Sequence, residues 1–158
     1  MRSFVSGLML AAAVGCAPVP EPPPPPDVAA HEAAAATLWA DYTAAVVSKD
    51  VERATSLFSD AVSFQLQGIP PVAKSGLAEL YRGLLATTDV VSIELRPEYS
   101  NVPMDGLIHQ AGSFVEPQVR EGKPVTEYGR YATAIAREAD GQWRVTFLMG
   151  IVDSIVPR

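Results

Sequence analysis

The chain is poor in the residues that most often announce chemistry. It has one cysteine and two histidines in 158 residues. A single thiol excludes an intrachain disulfide framework, and with His31 and His109 far apart no Cys/His zinc ligand set can be assembled. Basic residues are sparse as well, 12 Lys/Arg against 18 Asp/Glu for a net charge of −6, and they form no run. Binding to nucleic acid or to an anionic membrane surface needs a concentrated positive footprint, which this composition excludes. Gly-x-Gly phosphate loops, Ser or Cys nucleophile motifs and paired His ligands are missing, and the carboxylates are scattered, so neither metal nor cofactor is expected. No apolar run reaches the about 20 residues needed to span a bilayer.

What is present begins with an export signal: Arg2, an apolar run over residues 4–14, then small residues. Ala13-Val14-Gly15-Cys16 resembles a bacterial lipobox, in which the cysteine is acylated and becomes the new N-terminus; a branched residue is commoner where Ala13 stands. The alternative is an ordinary signal peptide cut near Ala11-Ala12-Ala13. Acylation of Cys16 implies a stable anchor in the cell envelope, because about two membrane signals already suffice. Ala17 after the cysteine resembles lipoproteins sorted to an outer membrane, facing the periplasm, in a cell with two membranes. Residues 17–27 carry Pro18, Pro20 and five consecutive prolines from Pro22, a polyproline II spacer. At about 3.1 Å per residue it reaches roughly 30 Å. The domain organisation is therefore signal 1–16, linker 17–27 and one folded domain, 28–158.

Within that domain, residues 28–48 read as a helix whose stripe holds Leu38, Tyr42, Ala45 and Val46, with Trp39 beside it. Asp50 caps a second helix, 51–58. Residues 61–66 alternate as a strand, with Val62, Phe64 and Leu66 on one side. Ser75 is the expected cap of a third helix, 76–86, with stripe Leu77, Leu80, Tyr81 and Leu84. Beyond Asp89 the period changes to two. Val91, Ile93 and Leu95 alternate until Pro97 ends or bends the strand, residues 107–116 form another, and residues 117–123 read as a turn region.

The C-terminal stretch 127–153 reads as a hairpin about Asp140-Gly141, with Trp143, Val145, Phe147, Met149 and Ile151 at alternate positions. A two-residue turn sets Ala132, Ala134 and Ala136 on the face of Trp143, Val145 and Phe147. A three-residue loop with Gly141 left-handed, a G1 bulge, sets Tyr131, Thr133 and Ile135 there; this register gathers the larger groups and is favoured. Helices, one strand, a helix and then four antiparallel strands make an α+β plan.

Several stretches in this order carry a family likeness: Trp39-x-x-Tyr42, Lys49-Asp50, Leu57-Phe58-Ser59-Asp60-Ala61-Val62-Ser63-Phe64, Gly129-Arg130-Tyr131 and Asp140-Gly141-Gln142-Trp143-Arg144-Val145. Over residues 31–153 the chain resembles the SnoaL-like branch of the nuclear transport factor 2-like superfamily. The resemblance implies a cystatin-like roll, a curved sheet wrapped as a cone around three helices, with a pocket at the open end. It also implies homodimers through the outer sheet face. It does not imply one activity, since isomerases, cyclases, dehydratases and non-catalytic binders share the fold.

Catalysis on such a scaffold uses a carboxylate, His or Tyr in the apolar cone. The candidate proton carriers are His109, mid-strand with Leu107, Ala111 and Ser113, and Asp153, which continues the face of Met149 and Ile151. Against these stand a structural or solvent-facing His109 and a solvated Asp153 near the C-terminus. Trp39, Tyr42, Phe64, Tyr81, His109, Tyr131 and Met149 are the expected pocket lining, although the aromatic set is core first. His31, at the helix start, is expected in solvent. The leading expectation is an anchored domain that binds a small apolar ligand or a protein partner without catalysis. Its rivals are an isomerase, hydratase or lyase, and a structural dimer module.

Overall fold

The computed structural model describes residues 24–158, so the export signal, Cys16 and the linker up to residue 23 lie outside the described part. Helix α1 (Val28–Val47) starts at Asp27, whose carboxylate accepts from the Ala30 N–H at 3.0 Å. Its inward stripe holds Ala35, Leu38, Trp39, Ala45 and Val46. Lys49, in the left-handed region at φ 58°, turns the chain into α2 (Val51–Ser56), capped by Asp50 Oδ1 on the Arg53 N–H at 2.9 Å. Strand β1 (Phe58–Leu66) begins earlier than its alternation suggests. The Leu57 carbonyl already accepts from Val145 N–H at 2.9 Å, so Phe58 is the first strand residue and not the last of a helix.

Helix α3 (Lys74–Thr87) also departs from expectation. Ser75 is not its cap: Ala73 holds that place with no side-chain bond. The start is fixed instead by Lys74, whose ammonium donates to the Thr55 and Phe58 carbonyls at 2.5 and 2.6 Å and ties α3 to the end of α2.

The sheet follows: β2 (Thr88–Val90), β3 (Glu94–Met104), β4 (Leu107–Arg120), β5 (Lys123–Arg137) and β6 (Trp143–Pro157). Strand order is β1-β6-β5-β4-β2, with β3 also on β4; β1 runs parallel to β6 and the other pairs are antiparallel. The sheet curls around the helices as the expected cone. Residues 117–123 are not a loop. Strand β4 runs on to Arg120 and the turn shrinks to Glu121-Gly122, at φ 50° and 76°, the two-residue type I′ geometry. Pro117 lies inside the strand, where it has no N–H to donate but its carbonyl accepts from Val91 N–H at 2.9 Å. At the other bend Gly112 faces Pro97, and a Cβ there would meet the Arg96 carbonyl oxygen at 2.0 Å, so only glycine lets β3 bulge across β4.

At the last hairpin the favoured register forms. Gly141, at φ 81°, closes a three-residue loop, and Ile135 lies opposite Val145. The face then reverses. A bulge at Thr146 puts Ala134 opposite Phe147, Thr133 opposite Leu148 and Ala132 opposite Met149. Val145 and Leu148 therefore both point inward, whereas Phe147 and Met149 move to the outer face. Phe58, Phe64, Leu77, Ile108, Ile135 and Val145 are the fully buried core between helices and sheet.

Candidate functional site

A cavity of about 200 Å³ lies in the cone between α1, α3 and the inner sheet face. Its walls are mainly apolar and aromatic: Trp39, Phe64, Leu85, Leu95, Phe114 and Leu148 among them. Leu84 lines it while remaining 43% exposed, which places Leu84 at the mouth. An engineered cavity of about 150 Å³ already holds benzene, so the space suits a molecule of roughly one ring.

The polar groups gather on the ends of β4 and β5 beside the Glu121-Gly122 turn. Because that turn sets Arg120 opposite Lys123, it also sets Glu116 directly opposite Glu127. Alternation turns Glu116, Gln118 and Arg120 to the inner face, and all three line the cavity with Glu127. Glu127 Oε2 accepts from Arg120 at 2.6 Å and from the Gln118 amide nitrogen at 3.1 Å. Glu116 has no hydrogen-bond partner among the described residues. Its carboxyl is pushed up to about 7, first by burial and next by the facing Glu127, against a smaller opposing pull from Arg120. Two carboxylates across one rung cannot both ionise cheaply, and the rise falls on Glu116, which has no arginine bonded to it.

Further in, the hydroxyls of Tyr42 and Tyr81 bond each other at 2.8 Å. Both acidities are suppressed, chiefly by burial and more weakly by Glu116. Two hydroxyls carry two protons and their mutual bond uses one, so one O–H remains for a third partner. The Tyr131 hydroxyl is buried with no partner among the described residues, and burial pushes it up to about 12. Trp39 Nε1 donates to Gln110 Oε1 at 3.2 Å, so that polar pair is satisfied within the core.

Of the residues expected to line the pocket, Trp39, Tyr42, Phe64, Tyr81 and Tyr131 do so. His109 and Met149 do not. His109 lies opposite Ala134 on the outer face and is exposed, because its neighbours Ile108 and Gln110 take the inward positions. Met149 is turned out by the Thr146 bulge. Asp153 is exposed and clasped by Arg130 at 2.8–3.1 Å, which holds its carboxyl below the usual range. It therefore does not face the pocket mouth. Gln118 and Arg120 were missed because residues 117–123 read as a turn, and without the register of the real turn the facing of Glu116 and Glu127 was missed with them. The Glu-Gly pair at 121–122 is the signal that fixes their facing.

His31 is not in solvent but buried, at 4% exposure. Its Nδ1 donates to the Asp27 carbonyl at 2.6 Å, Nε2 accepts from Gly106 N–H at 2.9 Å, and the ring sits edge-on to Trp143. Among the described residues no group of three or more His, Cys, Asp or Glu is placed to hold a metal ion, and no helix is long and apolar enough to cross a membrane.

No family model matches the sequence, and no curated protein matches it. Solved structures do. A ketosteroid isomerase-like protein from Erwinia carotovora atroseptica superposes with a TM-score of 0.68 at 18% identity, covering 81% of this chain and 97% of that one. A conserved protein from Planctomyces limnophilus gives 0.71 at 17% identity, over 82% and 99%. The hexachlorocyclohexane dehydrochlorinase LinA-type3 from Novosphingobium barchaimii gives 0.65 at 18% identity, over 82% and 91%. With its three helices and curled mixed sheet, the chain has the nuclear transport factor 2-like fold.

Proposed function

We propose that the domain binds a small, largely apolar molecule in the cone and moves a proton on it through Glu116, as an isomerase or lyase of the SnoaL-like kind. The observation that carries this reading is a carboxyl near neutrality, at about 7, facing an unfilled cavity. A group with such a pKa is populated in both forms near pH 7, so it can take a proton at one step and return it at the next. The ionised Glu116 removes a proton from carbon beside a carbonyl. The electron pair moves onto the carbonyl oxygen, where the spare O–H of the Tyr42–Tyr81 pair donates a hydrogen bond. Return of the proton at another carbon isomerises the molecule; expulsion of a leaving group from the adjacent carbon completes an elimination.

Likeness in fold to proteins named for isomerisation and dehydrochlorination is consistent with this class. Binding without catalysis, the expectation from sequence, uses the same cavity and differs only at Glu116. The two readings separate in D₂O with a panel of single-ring ketones. Wild type is expected to speed deuterium uptake beside the carbonyl, and Glu116→Gln to lose about 100-fold or more of it. Equal rates in both proteins would leave binding alone.

The envelope location belongs to the same proposal. Acylation of Cys16 anchors the domain, and Cys16→Ser is expected to release it from membranes on fractionation. A homodimer through the outer sheet is also proposed. Its support is an apolar outer face at Ala132, Ala134, Phe147 and Met149, and its check is sedimentation of Met149→Lys against wild type.

A further inference from the structure

We infer that the polar end of the cavity is built to receive a cationic nitrogen, so that the ligand is a small apolar molecule bearing an amine. This inference rests on the reading above that the cavity is a ligand site, and it adds the chemical class.

The donors and acceptors at that end do not balance. Both donors, Arg120 and the Gln118 amide nitrogen, converge on one atom, Glu127 Oε2. Glu127 Oε1 is left without a partner among the described residues. So is Gln118 Oε1, in a side chain that is 2% exposed. The neighbouring carboxylate fixes which way the amide lies. Turning the group over would aim its carbonyl oxygen at a carboxylate, so the nitrogen must face Glu127 and the oxygen must face away. The Glu116 carboxyl stands on the rung facing Glu127, so three acceptor groups line this end of the cavity, and Gln118 Oε1 and Glu127 Oε1 receive no donor among the described residues.

A buried acceptor with nothing donating to it carries a penalty, which a ligand N–H removes. Charge points the same way. Among the described residues lining the cavity Arg120 is the only cation, and it faces two carboxylates, Glu116 and Glu127. An ammonium brings that set to neutrality when Glu116 is ionised. A carboxylate or phosphate would add to the repulsion that Glu116 already meets from Glu127. The aromatic walls agree, since the faces of Trp39, Tyr42, Tyr81 and Phe114 attract a cation and not an anion. Glu127 and Gln118 thus hold the nitrogen, leaving Glu116 free for the neighbouring carbon.

The test is a set of four probes sharing one ring, with affinities for the 24–158 domain measured at pH 7.5 by calorimetry and ligand-observed NMR. Benzylamine carries the ammonium, benzyl alcohol a neutral donor, benzoate an anion and toluene neither. Benzylamine is expected to bind about tenfold or more tighter than benzyl alcohol, toluene more weakly still, and benzoate not at all. In Gln118→Leu the advantage of benzylamine over benzyl alcohol is expected to shrink to about threefold or less. Benzoate binding as well as benzylamine, benzylamine binding no better than toluene, or no binding of benzylamine overturns the inference in the wild-type protein alone, whether or not the variant folds. An amine preference without deuterium exchange on ketones would remove proton transfer and keep this inference. Exchange without an amine preference would do the reverse.

Discussion

The two ends of the cone are made from the same strands and treated in opposite ways. At the hairpin end Ile108, Ile135 and Val145 are fully buried, and His31 with Trp143 packs against the Asp105-Gly106 turn. At the other end the same β4 and β5 present Glu116, Gln118, Arg120 and Glu127 to a void. One end spends its residues on packing density and satisfied bonds. The other leaves space, an unpartnered amide oxygen and two facing carboxylates, none of which stabilises a fold. A chain selected for stability alone would fill that end with apolar side chains. Keeping it open and charged is the mark of a site.

The largest effect that sharpens this contrast comes from emptying the closed end. Ile135→Ala is expected to cost about 3–4 kcal/mol, because Ile135 is fully buried against Ile108 and Val145 and the surroundings cannot collapse into the gap. Urea denaturation measures it. The open end responds to pH instead. Between about 4.5 and 7 the native chain keeps a proton on Glu116 that the unfolded chain has lost. Stability therefore falls as pH rises through that window, by roughly 3 kcal/mol in all, and levels off above it. Glu116→Gln is expected to flatten that slope, read from denaturation midpoints at a series of pH values.

A smaller loss tests the closure at the hairpin end. His31→Ala removes the acceptor for the Gly106 N–H and the donor to the Asp27 carbonyl, for about 2 kcal/mol. It should leave ligand binding at the far end unchanged. The smallest effect is on the outer face, where Asp153→Ala breaks only an exposed pair with Arg130. No resolvable shift in thermal midpoint is expected there, since such pairs are screened and conformationally costly. A marked change in binding or exchange from Asp153→Ala would break the division between inner and outer faces.

The α+β cone was legible because period-two runs and the Asp140-Gly141 hairpin are local signals. So was the inward facing of Tyr131, Thr133 and Ile135, which follows from the position of one glycine. Beyond Thr146 the reading failed, since a single inserted residue exchanges the faces of the strand up to the second irregularity at Asp153, and nothing in the alternation of Phe147, Met149 and Ile151 betrays it. The site depended on the same kind of detail. Proline at 117 reads as a break, yet the strand continues through it and carries the cluster. Asp153 and His109 drew attention as chemically able residues on good strand patterns, but parity sent His109 to the outside, and Asp153 stands exposed at the second irregularity of β6, bonded to Arg130. His31 looked like a frayed start until the Asp105-Gly106 turn, 75 residues away, is folded over it.

Most direct for the central claim is a ¹³C NMR titration of the glutamate side-chain carboxyls in the 24–158 domain. One resonance titrating near 7 in wild type and missing in Glu116→Gln is the predicted result. If every glutamate titrates in the ordinary range around 4.3, Glu116 is an ordinary ionised carboxylate and the account of this cavity as a proton-transfer site is contradicted.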